Sequence, residues 1–428
     1  MMKHKLTIYC LTTILLLGVL SGCGRRETEV IPPDATPIAI NYITFNASGE
    51  AEDAAIEKFE ETNPHLEFDT STYNQLPISY IRSENPPDIM LMIPSYFLDE
   101  VVAEGVLTDL TEVWQETGLT DTMPPGVQAL STYDGKQYLL PIGVGWTGIY
   151  YNREIFDQFG FEPPSTWDEL MIIADTLLSN GITPFALAGD SGWHVSIWFD
   201  YLNLRMNGPE FRRALISGEI DFEDSRVTDV LEMFQFLLLS GYFLDNAVNM
   251  SENDAVSSVI RGDNGQLATN KAVMMLGAPD SDFPQKFRDE LDFFRFPIID
   301  PTLPVGEIAT SFGYMIPSNA PNRIEVLRYL AFLGSDEIKT VFTQEANVSN
   351  DFVPANPDMS IIDEDIALGL DIIQSADDVS SSLFFSIPFQ NQGTVSRNYS
   401  SYLRNVQRGE PGDILEFQAT LDRAYNGR

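Results

Sequence analysis

Residues 144–156 read VGWTGIYYNREIF, and the reading of this stretch decides the fold. An apolar run ends at Trp146, Gly145 and Gly148 bracket it, and a tyrosine pair leads at once into a helical pattern. Glycines at such a spot mark a turn or a close backbone approach, so a strand is expected to end here. Downstream, Pro163 and Pro164 precede Ser165 and Thr166, and Thr166 with Glu169 makes a capping box. Trp167, Leu170, Met171, Ala174, Leu177 and Leu178 then fall on one helical face, which Gly181 closes. Upstream, IAINYITF alternates as a strand, and Ala51, Ala54, Ala55 and Phe59 recur at helical spacing until Asn63-Pro64 stops them. HLEFDTSTY alternates again, and PPDIMLMI reads as a strand apolar on both faces, as parallel strands are. Strand, helix, strand, helix, strand predicts an α/β chain with a covered, mostly parallel sheet.

The amino terminus fixes the compartment. MMKHK is basic, LTIYCLTTILLLGVL is an apolar run short for a membrane span, and Leu20-Ser21-Gly22 supplies small residues before Cys23. This ending resembles the bacterial lipobox, which implies a signal peptide over 1–22 and a lipid on Cys23. Residues 23–37 are polar and proline-bearing and read as a tether. Cys10 lies in the signal, so Cys23 has no partner for a disulfide and the fold rests on its core. The remaining ~400 residues exceed what one core holds and suit two.

A net charge of −38 excludes nucleic acid, which demands clustered Lys and Arg, and disfavours a polyanionic ligand. Such acidity keeps an extracellular chain soluble and monomeric. After the signal only His65 and His194 remain, with no zinc spacing, no phosphate-cradling loop, no nucleophile elbow and no calcium loop. No metal or cofactor is expected. The enzymatic rival is a secreted glycoside hydrolase, which needs only two carboxylates, and 63 acidic residues do not rule that out by number.

Five segments together resemble a known family. FEETNPHLEF, PPDIMLMIPSYFLDEVVAEGVLTDLTE, YDGKQYLLPIGVGWTGIYYNREIFDQFGFEPPSTWDEL, NKAVMMLGAPD and GYMIPSNAPNRIEVLRYLAFLGSDEIKTVF occur in the family's order. The family is the extracellular solute-binding proteins of carbohydrate ABC transporters, the maltose-binding-protein-like group. The resemblance implies a two-lobed periplasmic-binding-protein-like fold, with a hinge crossed about three times and a ligand cleft between lobes. Lobe 1 would be 38–145 plus 307–349 and lobe 2 would be 150–306 plus 353–428, with crossings near 145–149, 303–309 and 350–354. It further implies a chain without catalysis, lipid-anchored on the outer face of the membrane, that passes a sugar or oligosaccharide to permease subunits. A non-sugar solute (a polyol, glycerol phosphate or a peptide) is the alternative ligand.

Sugars present hydroxyls and apolar C–H faces, so a sugar site combines exposed aromatic rings with polar side chains. Trp146 is expected at the cleft because it ends a strand facing the hinge, and open α/β sheets bind ligand at strand ends. Trp193 follows a glycine-rich loop and is expected there too, whereas Trp198 shares a face with Tyr201 and Leu202, and Trp114 and Trp167 are assigned to structure. Phe45 and Asn46, with Ser48, follow the first strand; Ser95 and Tyr96 follow the third. Phe312 and Tyr314, near Ser311, share one face of a later strand, as site residues or as a buried pair. Gln392 and Arg397 are further polar candidates. Where many relatives carry a tryptophan after the Ala-Met-x-x-x-Gly glycine, this chain has Gly277-Ala278-Pro279-Asp280, which points to a polar contact from Asp280.

Overall fold

Parallel pairing joins the first three predicted strands. β1 (Ile38–Thr44) lies between β2 (Leu66–Thr72) and β3 (Ile89–Met92) and is parallel to both. The computed structural model describes residues 37–45, 49–93, 97–260, 272–278, 290–349, 352–387, 389–408 and 414–426. A small ribbon of β4 (Thr132–Tyr133) and β5 (Lys136–Gln137) precedes β6 (Leu140–Trp146). Four strands then build a separate sheet: β7 (Gly148–Asn152), β8 (Thr183–Ala186), β9 (Ala272–Gly277) and β10 (Leu291–Phe294), in the order β10-β7-β9-β8. β11 (Gly306–Met315) returns to the first sheet and lies antiparallel between β6 and β3. β12 (Val353–Pro354) pairs with β6, and β13 (Asp378–Ser380) pairs with the start of β11.

Helices cover these sheets for the reasons their sequences supply. The helix Trp167–Ser179 carries the expected capping box, and its buried residues Leu170, Ile173, Ala174 and Leu177 follow the helical period. The helix Glu50–Thr62 buries Glu52 beneath the larger sheet, where Oε1 accepts hydrogen bonds from Tyr42 (2.5 Å) and Tyr314 (2.7 Å). Tyr150 and Tyr151 are buried in β7.

The chain crosses between sheets at Thr147, between Phe294 and Gly306, and again after Ser380. The third crossing differs from the expected 350–354. Val353 pairs with Val144 and Gly306–Ile308 pair with Asp378–Ser380, so 353–380 stay with the larger sheet. The segment that follows, with the short helix Leu383–Ser386 and the helices Phe389–Gln407 and Ile414–Asn426, goes over to pack on the helix Gly192–Ser217. Strands of two and three residues carry too little alternation to be read from sequence.

The helix Gly192–Ser217 holds all three crossings. Tyr201 donates its hydroxyl to the Thr147 carbonyl (3.2 Å) and to Glu307 Oε2 (3.0 Å). Arg205 donates from Nη2 to Glu307 Oε1 (2.6 Å), from Nη2 and Nε to the Phe296 carbonyl, and from Nη1 to the Gly306 carbonyl. Arg295 Nε lies 3.2 Å from the same Glu307 oxygen. Burial pushes the Glu307 carboxyl above the usual range while Arg205 and Arg295 pull it back. Further on, Gly208 takes φ 79° and Pro209 withholds its N–H, which breaks the helix. A straight helix would set Asp200 and Arg212 about 18 Å apart. The break instead lets Arg212 Nε donate to Asp200 Oδ1 at 2.6 Å, while Leu383 N donates to Asp200 Oδ2 (2.7 Å) and Arg212 donates to the Ser381 carbonyl.

Removing one partner of a buried ion pair leaves the other uncompensated. Arg205→Met is therefore expected to cost about 3–5 kcal/mol in urea denaturation. Retention of wild-type stability would show that Glu307 is not buried against it.

Candidate functional site

In an α/β sheet the carboxyl ends of parallel strands open onto the ligand crevice. In the larger sheet those ends lead to Phe45 after β1, Tyr73 after β2 and Ile93 after β3. Phe45 is 40 % exposed, its ring 5.3 Å from that of Tyr73, which in turn meets Tyr80 edge-on at 5.5 Å. The Tyr73 hydroxyl donates to the Leu91 carbonyl at 2.9 Å, and burial pushes it well above the usual phenol range, so it stays a neutral donor. Tyr80 donates to Asn74 Oδ1 at 2.8 Å. This array is half-open to solvent, and sequence reading missed Tyr73 and Tyr80. The available signal was a tyrosine placed directly after a parallel strand, where the side chain leaves the sheet.

Asn46, Ser48, Ser95, Tyr96, Asp280 and Cys23 lie outside the described residues, as does the side chain of Gln392. Arg397 is exposed and donates to Thr394 Oγ1 at 3.0 Å.

On the returning strand, Thr310 and Phe312 are half-buried and lie opposite Gly145 and Gly143. Phe312 meets Phe352 edge-on at 5.4 Å. Tyr314 is a correction. It is 0 % exposed, held by Glu52 and by the rings of Tyr42 (5.8 Å) and Tyr329 (6.0 Å). It shares a strand face with Phe312, but it lies further under the helix Glu50–Thr62, so that face is covered at one end and open at the other.

In the smaller sheet, β8 and β9 run parallel, and β8 leads into the loop 187–191, which opens the helix Gly192–Ser217. The loop is pinned by Ser400 Oγ donating to the Gly189 carbonyl (2.9 Å) and by Gly189 N donating to the Ala247 carbonyl (2.9 Å). Trp193 emerges from it half-buried, its ring 4.6 Å from His194, whose Nδ1 lies 2.9 Å from Ser191 Oγ. Trp198 and Trp114 are core residues, as expected, and Trp167 stacks on Phe296. The rings of Phe45 after β1, Phe312 within β11 and Trp193 in the first turn of the helix Gly192–Ser217 thus keep separate neighbours.

Trp146 is the second correction. It is 0 % exposed and lies between Gly369, where a Cβ would come within 2.5 Å of the indole, and Phe293, 5.5 Å away. Alternation along β6 puts Val144 and Trp146 on one face, and the helix Glu364–Gln374 covers that face. The glycines beside the tryptophan leave it no more exposed, because the glycine that makes room for it lies on another helix.

With this geometry in place, similarity to known proteins is informative. A profile of the bacterial extracellular solute-binding proteins matches residues 44–340. The chain belongs to this family. An uncharacterized ABC transporter extracellular-binding protein of Pyrococcus horikoshii is 24 % identical over 360 residues, covering 79 % of this chain and 78 % of that one. A xylose/arabinose-binding protein of Haloferax volcanii is 26 % identical over 69 % of this chain and 66 % of its own length. The match to an alpha-glucosides-binding periplasmic protein of Rhizobium meliloti, 28 % identical, spans 44 % of this chain and 43 % of that protein. Among solved structures, a bacterial solute receptor with an exclusive preference for β-D-galactopyranose superposes with TM-score 0.77 at 21 % identity, covering 91 % of this chain and 98 % of that one. A chitin oligosaccharide binding protein gives 0.71 at 20 % identity over 91 % and 98 %. The two-lobed solute-binding fold is therefore the fold of this family member. Among the described residues, no helix is long and apolar enough to cross a membrane, and no three His, Cys, Asp or Glu side chains are grouped to hold a metal ion.

Trp146→Ala is expected to leave a cavity and to cost about 3–5 kcal/mol in urea denaturation. A loss below about 1 kcal/mol would contradict its place in the core.

Proposed function

We propose that this chain is a receptor, anchored outside the cell membrane by a lipid on Cys23, that captures a sugar or oligosaccharide for an ABC permease. The observation that carries the reading is the family membership joined to partly exposed aromatic rings, Phe45 after β1 and Trp193 at the start of the helix Gly192–Ser217. Several relatives and structural neighbours are named for carbohydrates (alpha-glucosides, xylose and arabinose, galactopyranose and chitin oligosaccharide), and one is named for osmoprotective compounds.

In this reading Phe45 (backed by Tyr73), Phe312 and Trp193 offer flat faces to the apolar side of a sugar ring. Asn46, Ser95, Tyr96 and Asp280 supply the directional hydrogen bonds that hydroxyls require. Binding draws the lobes together, because a ligand that touches both stabilises the arrangement in which both are within reach. No bond is made or broken by the chain. Acidity fits the role: a neutral sugar is not repelled, and the protein stays soluble at the cell surface.

Calorimetry against a panel of mono- and oligosaccharides is expected to find one class that binds. Melting should rise with that ligand, by the equivalent of about 2.7 kcal/mol at 100 times Kd. Trp193→Ala is expected to weaken binding about tenfold or more with an unchanged melting curve in the absence of sugar. Release of new reducing ends from the panel would contradict the reading and support hydrolysis.

A further inference from the structure

A cavity of about 230 Å³ lies in the larger-sheet lobe, on the face of β6 opposite Phe312. Val127, Val144, Val353, Leu370 and Ile373 form its walls. Thr122, Asn356 and Gln374 stand among its lining residues with uncharged hydrogen-bonding groups. None of the lining residues is charged, in a chain with 63 acidic side chains. That chemistry rejects ions, and it leaves most hydroxyls of a sugar without partners, which costs free energy. An apolar cavity of about 150 Å³ takes up benzene, so this one has room for a bicyclic aromatic.

The cavity wall also touches the hinge. Leu370 and Ile373 belong to the helix Glu364–Gln374, whose Gly369 seats Trp146. The Ile372 carbonyl of that helix accepts a hydrogen bond from Arg295 Nη2 at 2.8 Å, and Arg295 is paired with Glu307. Val144 lies three residues before the crossing at Thr147. A molecule wedged between Val144 and Leu370 therefore bears on the first crossing and, through Arg295, on the second.

We infer that this cavity is a binding site for a small, uncharged, mainly apolar aromatic molecule, and that its occupancy alters sugar affinity through the helix Glu364–Gln374. The coupling rests on the sugar-receptor reading; the binding does not. Discrete coupling of this kind needs two sites and a shared element with more than one arrangement, here the hinge.

Indole is a suitable probe. Met123 and Met359 line the cavity, whereas Met274 and Met275 are buried in β9. In the methyl spectrum of methionine-labelled protein, indole is expected to shift Met123 and Met359 along one saturating curve and to leave Met274 and Met275 in place. Leu370→Phe, which fills the cavity, should weaken indole at least tenfold; if that variant fails to fold, Val127→Phe serves the same purpose. Shifts that do not saturate, or that spread evenly over the methionines, would overturn the site. With a sugar that binds, saturating indole should change its Kd at least threefold, and an unchanged Kd beside saturable methionine shifts would overturn the coupling. A panel in which no sugar binds counts against the receptor reading alone, and the methionine titration then decides the cavity.

Discussion

One buried guanidinium organises the molecule. Arg205 sits on the helix Gly192–Ser217 and donates to two carbonyls and to Glu307, all on the second crossing, while Tyr201, one turn earlier, reaches both Glu307 and the first crossing. Asp200, adjacent to Tyr201, takes Arg212 and the Leu383 amide of the third. A charged group taken out of water needs nearly all of its hydrogen-bonding capacity met, and a planar guanidinium meets it only in one geometry. The three connections between lobes are thus set against a single helix, and the break at Gly208-Pro209 is what turns Arg212 back to complete the set.

This constraint gives the ligand site its character. If the crossings are tied to one element, ligand-driven movement of the lobes is a rotation about that element rather than a loosening of the chain. Partly exposed aromatic rings stand on either side of it. Phe45 and Tyr73 follow strands of the larger sheet and meet Tyr80 on the helix Pro77–Ile81, while Trp193 starts the helix Gly192–Ser217 beside a pinned loop. Aromatic faces held this way lose little freedom on binding, which favours affinity without large area.

Much of this was legible in the sequence, where local pattern and local chemistry coincide. The strands at 38–44, 66–72 and 89–92 and the Thr166–Glu169 cap follow from periodicity and capping. Contacts from distant parts of the chain were not legible. Trp146 looked exposed because it ends a strand at the hinge, but Gly369 on a later helix makes its slot. Tyr314 looked like a partner for Phe312, but Glu52 on the first helix claims its hydroxyl. Arg205 and Glu307 carry no local signal at all, since a buried ion pair is a property of two segments brought together.

Hydrogen exchange by mass spectrometry, with and without a bound sugar, tests the hub most directly. Protected amides at Ile308 and Leu383 should belong to the slowest class in both states, while sugar slows exchange in the loops at 187–191 and after β1 and β2. Fast exchange at the crossings without sugar, slowed when it binds, would mean that the hinge forms only on binding and would contradict a hub built in advance by Arg205 and Asp200.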